Sequence, residues 1–103
     1  MENITIEDVK ARLDAGEKVN LVDVREPDER AAFHIGGQHV ALGRINSMDT
    51  DEIDHLKNQE VVCYCRSGQR SARACMMLES LGFTNVKNLT GGMLAWQEKY
   101  GGA

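Results

Sequence analysis

The chain has 103 residues, of which 42% are hydrophobic and 27% charged, and this predicts one globular domain over 1–103 with an ordered core at about 4–100. A formal net charge of −4 excludes bulk attraction to nucleic acid or to an anionic membrane surface. The apolar runs are too short to cross a membrane and no apolar leader follows the amino terminus, so we expect a cytoplasmic protein.

Cysteine usage narrows the class further. The chain has three cysteines, an odd number, and none of them forms a Cys-x-x-Cys pair. This disfavours a disulfide framework and a closed zinc site, so no metal centre is expected. An odd count without an export signal favours a reducing compartment and at least one free thiol.

Helices alternate with short β-branched strands along the chain. Thr5 is a candidate N-cap for a first helix that ends at Gly16, and Pro27 suits the first turn of a short second helix. The run Val61 to Cys65 is the strongest strand signal. The predicted helices are 6–15, 27–33, 50–56, 70–81 and 93–100, and the predicted strands are 19–24, 39–42, 60–65 and 85–89.

This alternation predicts an α/β fold with a central parallel sheet of four or five strands and helices on both faces. In such sheets ligands bind at the carboxyl ends of the strands. Strand 60–65 ends at Cys65, so the rule points to this thiol.

The segment from Cys65 to Ser71 reads as a strand end, a tight turn and a helix start, and we call it the 65–71 loop. The helix N-terminus and two arginines, Arg66 and Arg70, favour the thiolate over the thiol. Backbone N–H groups in such a turn lack helical partners and can converge on one anion. Gly68 permits the positive φ of a tightly curled loop, and Arg70 offers a planar fork for oxyanions.

Alternative chemistries use the same residue types. A buried structural cysteine before an ordinary β–α turn would need neither the glycine nor the arginines. Acyl transfer needs a base, yet His34, His39 and His55 lie in no motif that assigns one of them. Cysteine phosphatases place five residues between the cysteine and the arginine, whereas four separate Cys65 from Arg70 here. The shorter ring favours a single sulfur atom over a tetrahedral phosphoryl group.

Four ordered motifs resemble those of single-domain rhodaneses, and the resemblance covers essentially residues 4–100. The motifs are Leu21-Val22-Asp23-Val24-Arg25-Glu26-Pro27, His34-Ile35-Gly36-Gly37, Cys65-Arg66-Ser67-Gly68-Gln69-Arg70-Ser71 and Gly91-Gly92-Met93-Leu94-Ala95-Trp96. The second motif departs from the usual Gly-His-Ile-Pro-Gly-Ala, because the chain has Phe33-His34-Ile35-Gly36-Gly37-Gln38 there. Each motif is weak alone, but four in order are specific.

The resemblance implies a rhodanese-like α/β fold and thiosulfate sulfurtransferase activity without a cofactor. By this resemblance Cys65 takes the outer sulfur of a small anionic donor as a persulfide and passes it to cyanide in vitro or to a thiol in the cell. Arg66 and Arg70 would attract the donor. The sulfur would be held by the loop amides of Arg66, Ser67, Gly68, Gln69, Arg70 and Ser71.

The remaining candidates read as support. Asp23 and Arg25 end a strand beside the site, where they form a structural ion pair or turn, or tune the site directly. Cys63 and Cys75 are expected to be inert core residues, and Trp96 is expected to pack the last helix on the sheet.

Two rival functions share the same loop. One is a persulfide carrier or interaction module that serves a partner enzyme in a sulfur relay. The other is a cysteine-dependent phosphatase or arsenate reductase.

Overall fold

The parallel sheet forms from five short segments, and the computed structural model describes residues 1–102. Within residues 1–102, five strands, five α-helices and one 3₁₀ helix follow in chain order. They are β1 (Glu2–Ile4), α1 (Ile6–Asp14), β2 (Leu21–Asp23), α2 (Pro27–Ala32), β3 (Gln38–His39), α3 (Leu42–Asn46), the 3₁₀ helix (Asp51–Leu56), β4 (Glu60–Tyr64), α4 (Gln69–Ser80), β5 (Asn85–Leu89) and α5 (Gly92–Tyr100).

The strand order is β1-β5-β4-β2-β3, and every pair is parallel. Strand β4 lies at the centre, where Cys63 is in register with Val22 of β2 and Asn88 of β5. The carboxyl ends of β2, β4 and β5 therefore meet at one edge of the sheet. This edge carries the 65–71 loop.

Each face of the sheet buries its own apolar cluster. Val61, Cys63 and Cys65 point to the face that α4 covers, where Leu78 is fully buried. Val62 and Tyr64 point to the opposite face, among side chains of α1 and α5 such as Trp96. Alternate residues on a strand face opposite sides, so β4 is apolar throughout because both of its sides are covered. The predicted α/β sheet with helices on both faces is confirmed, as is the packing of Trp96.

Residues 2–4 form a strand that the sequence does not predict. Segment Glu2–Ile4 forms edge strand β1 on β5, and only Ile4 of its residues is buried. A three-residue strand with two exposed positions carries almost no alternation to read. The pairing is instead a tertiary event, since Asn3 is in register with Asn88.

The predicted strand 39–42 is also wrong in its extent. Strand β3 covers Gln38–His39 alone, and Leu42 begins α3, a helix that the sequence did not predict. The Val40 and Leu42 amides still donate to the carbonyls of Asp23 and Val24, so the chain follows β2 before it coils. The strand predicted over 19–24 is Leu21–Asp23, and the helix predicted over 50–56 is a 3₁₀ helix at Asp51–Leu56.

Candidate active site

The Cys65 sulfur lies at the floor of the 65–71 loop and is surrounded by hydrogen-bond donors. The Gly68 N–H donates to Sγ over 3.1 Å and the Ser71 N–H over 3.4 Å. The Ser71 hydroxyl oxygen also lies 3.4 Å from Sγ. Gly68 is the N-cap of α4 with φ of 100°, a left-handed conformation that glycine adopts without steric cost. The expected convergence of amides on the thiol is therefore present in the geometry.

Opposing effects set the ionisation of Cys65. Burial raises the pKa of the thiol, because the residue is only 1% exposed. Hydrogen bonds from the Ser71 hydroxyl and from the backbone N–H groups of Ser71, Gly68 and Ser67 lower the pKa and outweigh burial, so the net pKa lies below the usual 9.0. The direction agrees with the sequence-based expectation. The cause is the loop's own donors rather than the arginines on which that expectation partly rested.

The start of α5 holds the loop from below. The Met93 N–H donates to the Cys65 carbonyl and the Leu94 N–H to the Arg66 carbonyl, both over 2.9 Å. Gly92 has φ of 56°, and a Cβ there would conflict with those two carbonyl groups. The close approach of the two backbones thus explains the need for glycine at Gly92. The N–H groups at the start of α5, which have no partner within their own helix, are satisfied by carbonyls of the 65–71 loop.

Arg70 is bound by a carboxylate that sequence reasoning did not single out. Its Nη1 and Nη2 donate to the two carboxylate oxygens of Glu29, each over 2.7 Å. Glu29 lies on α2, and its pKa is lowered to about 2, first by this hydrogen bond from Arg70. A bidentate pair of this kind holds both side chains in one geometry. The Arg70 guanidinium, which was expected to bind a donor anion, is therefore already paired with Glu29.

Asp23 and Arg25 form a buried ion pair beside the loop. Arg25 donates through Nε and Nη2 to the two Asp23 oxygens, each over 2.9 Å, and through Nη2 to the Phe33 carbonyl. Arg30 adds a contact of 3.5 Å to Asp23. These bonds tie the end of β2 to the segment after α2. The geometry matches the structural ion pair of the two alternatives considered for these residues.

Arg66 is the exposed cation of the site. It makes no salt bridge with any residue of the part of the chain that the structure describes. It lines a pocket of about 280 Å³ whose other lining residues include Arg25, Glu29, Phe33 and Leu94. Ser67 and Gln69 are exposed at the loop surface. Charged and apolar side chains thus line a pocket that Arg66 of the loop borders.

Two of the three histidines form hydrogen bonds away from the Cys65 sulfur, and the third is exposed. His34 Nδ1 accepts from the Gly36 N–H over 2.9 Å, and His39 Nε2 lies 2.7 Å from the Arg25 carbonyl. His55 is exposed in the 3₁₀ helix. Among residues 1–102 none of the three hydrogen-bonds to Sγ, so the geometry does not supply the base that acyl transfer requires.

Sequence reasoning missed Asn88 of β5. Its Nδ2 donates to the Gly68 carbonyl over 3.1 Å, and its Oδ1 accepts from the Ser71 hydroxyl over 2.5 Å. The available signal was an asparagine, a residue depleted in strands, inside the predicted strand 85–89. Only the parallel register of β4 and β5 shows that this side chain lies under the loop.

The other two cysteines lie behind the site. Cys63 and Cys75 are fully buried and free, as Cys65 is. The pKa of the Cys63 thiol is raised well above its usual value, first by a hydrogen bond with Cys75 and second by burial. A thiol in this state is a poor nucleophile. Within the described residues, no group of three His, Cys, Asp or Glu side chains could hold a metal, and no helix is long and apolar enough to cross a membrane.

A buried cysteine with a lowered thiol pKa, at the turn between a central strand and a helix, is the arrangement expected of a protein with a cysteine nucleophile. Comparison with known proteins gives the family, since residues 5–99 match the family described as Rhodanese-like domain. The chain belongs to this rhodanese-like family.

Relatives and solved structures agree with that assignment. A sulfurtransferase of Allochromatium vinosum is 38% identical over 96 residues, which cover 93% of this chain and 88% of the relative. A Bacillus subtilis relative named "Putative sulfur carrier protein YrkF" is 35% identical over 97 residues, and the chain spans about half (51%) of its length. The crystal structure of a rhodanese-like domain protein from Staphylococcus aureus superimposes with a TM-score of 0.82 at 31% identity, over 93% of this chain and 91% of that one. The chain is therefore a rhodanese-like sulfurtransferase or sulfur carrier.

Proposed function

We propose that the protein moves a sulfane sulfur from thiosulfate or a similar donor to a thiophilic acceptor through a persulfide on Cys65. The observation that carries the proposal is the set of donors around Sγ, with Gly68 and Ser71 amides at 3.1 and 3.4 Å. These groups stabilise negative charge on sulfur, both in the thiolate and in the persulfide anion.

The reaction takes two displacements at sulfur. The Cys65 thiolate attacks the outer sulfur of thiosulfate, the S–S bond of the donor breaks, and sulfite leaves with the bonding electron pair. An acceptor thiolate then attacks the outer sulfur of the persulfide, and the Cys65 thiolate leaves. No net oxidation occurs, and the enzyme returns to its starting state, so double-displacement kinetics are expected.

Arg66 is the residue that we assign to donor attraction. It is exposed and borders the approach to the loop. The positive charge of Arg70 is compensated by Glu29, so Arg70 serves first to fix the helix start of α4 against α2. The amides of Ser67 and Gln69 complete the proposed binding loop, and a cation beside the thiolate favours the approach of an anionic donor.

A carrier role is the second candidate, and one observation favours it. Cys65 is 1% exposed, so a sulfur atom loaded there is shielded from small thiols in solution. The Bacillus subtilis relative with a carrier name matches 93% of this chain within a longer chain of its own. In this variant of the proposal, a sulfur-relay protein is the acceptor. The three free thiols support the same reducing, cytoplasmic setting for either role.

Intact-mass spectrometry after treatment with thiosulfate tests the proposal. The protein is expected to gain the mass of one sulfur atom, and the Cys65→Ser variant is expected to gain none. Addition of cyanide should then remove the added mass and release thiocyanate. A sulfur found on Cys63 or Cys75, or turnover of phenyl phosphate or arsenate without sulfur loading, would contradict the proposal.

Cyanide and protein acceptors separate the two candidates. A free enzyme discharges the persulfide to cyanide or a small thiol over many turnovers. A carrier holds the sulfur under the same conditions and transfers it only to a protein partner.

A further inference from the structure

Asn88 is a buried polar side chain whose two amide ends both reach the 65–71 loop. It is 6% exposed, and it donates to the Gly68 carbonyl while it accepts from the Ser71 hydroxyl. A buried amide is costly unless its polar atoms are hydrogen-bonded. Both ends are bonded here, and both partners belong to the loop rather than to the sheet. The side chain therefore links β5 to the sulfur site.

The two residues that Asn88 binds both donate a backbone N–H to Cys65 Sγ. Gly68 has the less restricted backbone of the two, because it lacks a Cβ, and it adopts a φ of 100°. An anchor on its carbonyl restricts the backbone rotation that this glycine would otherwise allow. Ser71 is anchored through its hydroxyl, at the first turn of α4. One side chain thus fixes both ends of the turn that encloses the sulfur.

The Ser71 hydroxyl has one proton and two neighbours that can accept it. The Asn88 oxygen lies at 2.5 Å and the Cys65 sulfur at 3.4 Å, and the hydroxyl can donate to either of them. Asn88 and a thiolate therefore compete for the same proton, and an experiment on Asn88 must separate this effect from its hold on Gly68.

We propose that Asn88 is a positioning residue for sulfur transfer, because its amide fixes Gly68 and Ser71 so that their backbone N–H groups converge on Cys65 Sγ. The proposal rests on the proposed function in one respect: the sulfur atom so enclosed is the one that carries the sulfane. It extends the site by a residue outside the 65–71 loop, from a neighbouring strand.

The test compares two proteins, the single variant Ser71→Ala and the double variant that carries both Ser71→Ala and Asn88→Leu. The competing hydroxyl is absent from both. The readout is the rate of Cys65 alkylation by iodoacetamide as a function of pH, followed on the peptide that contains Cys65. Loss of the Gly68 anchor is expected to move the half-maximal rate upward by about one pH unit, since a hydrogen bond to the charged form is weakened. At a pH below both midpoints this is about a tenfold slower alkylation.

Asn85→Leu in the same background is the matched control. Asn85 opens the same strand but is exposed, so its alkylation profile is expected to coincide with that of Ser71→Ala. If Asn88→Leu does not fold, Asn88→Ser is used with the same expectation, because its shorter side chain cannot reach the Gly68 carbonyl.

Coincident alkylation profiles with and without Asn88, or a downward shift on its removal, would overturn the proposal, whatever the change in unfolding temperature. Alkylation uses no sulfur donor, so this outcome is separate from the proposed function. Failure of the unmodified protein to load sulfur from thiosulfate would refute the sulfurtransferase proposal, even if the alkylation shift appeared as expected.

Discussion

At the scale of single residues, the hydrogen-bond donors of the 65–71 loop lower the pKa of Cys65, the Ser71 hydroxyl first. Burial works against the thiolate, and the hydrogen bonds from Ser71, Gly68 and Ser67 reverse the sign. The sequence places this thiol correctly because a strand end, a glycine and a helix start are local features. It misjudges the arginines, because the partner of Arg70 is Glu29, which lies 41 residues away in the chain. A pairing of that range is set by the fold, and no local pattern records it.

The pH dependence of sulfur loading follows from the lowered pKa of Cys65. Only the thiolate attacks the donor, so the loading rate should rise with pH through a midpoint below 9.0 and then level off. The measurement is the initial rate of persulfide formation by mass spectrometry between pH 5 and about 10. In Ser71→Ala the midpoint should move upward. A rate that keeps rising above pH 9 in the unmodified protein would contradict this prediction.

Release of Arg70 should improve donor binding. In Glu29→Gln the guanidinium loses its charged partner, so the net charge near the loop becomes more positive. We expect KM for thiosulfate to fall about threefold at low salt, with a smaller effect at high salt. Glu52→Gln, which removes a carboxylate from Arg44 at a distance from the loop, is the control. A rise in KM would show instead that the pair is needed to hold the loop.

The same Glu29–Arg70 pair should persist in acid. The pKa of the Glu29 carboxyl is lowered from the usual 4.5 to about 2, first by Arg70. A depressed carboxyl pKa stabilises the fold above 4.5, and this stabilisation is lost as the pH falls toward 2. The charge state of this pair is therefore constant over the range in which Cys65 titrates.

At the scale of elements, the site is built by three strand ends and two helix starts. The sequence predicts β4, α4, β5 and α5 well, because each of these segments is at least five residues long. It misses β1 and α3, whose segments are short and half exposed. The long-range contacts of the site lie outside local prediction for the same reason. Gly92 and Asn88 reach the 65–71 loop only once the parallel register is formed.

Gly92→Ala should disable the loop. A Cβ at this position meets the carbonyls of Cys65 and Arg66, and its φ of 56° adds backbone strain. We expect a loss of about 1–3 kcal/mol in unfolding free energy from strain, together with loss of sulfur loading. Gly16→Ala is the matched control, because Gly16 has φ of 78° but no neighbour within 4 Å. Equal sulfur loading in both variants would show that the close approach of α5 is dispensable.

At the scale of the whole molecule, two apolar clusters and one buried ion pair hold the sheet edge in place. Asp23 is fully buried and its bonds to Arg25 and Arg30 join β2 to the chain that follows it. The sequence singled out Asp23 and Arg25, and the structure shows that these two residues, two positions apart in the chain, form an ion pair at the end of β2. Their joint contribution is to the shape of the site's outer wall, since Arg25 also lines the pocket beside the loop.

Removal of Asp23 should therefore destabilise the whole fold. In Asp23→Ala the Arg25 guanidinium remains buried without its counter-ion, a change that typically costs about 3–5 kcal/mol. Urea unfolding followed by circular dichroism measures this cost. Glu7→Gln removes the exposed partner of Lys99 and should leave the unfolding midpoint unchanged. A midpoint for Asp23→Ala equal to that of the control would refute the structural role of the pair.

The grip of α5 on the loop has a consequence for biosynthesis. Cys65 leaves the ribosome long before Gly92, Met93 and Leu94, and the two carbonyls that they secure have no such partners until then. A nascent chain that has emerged only as far as α4 carries the nucleophile without its finished enclosure. The loop therefore gains its last backbone partners only after α5 has been synthesised.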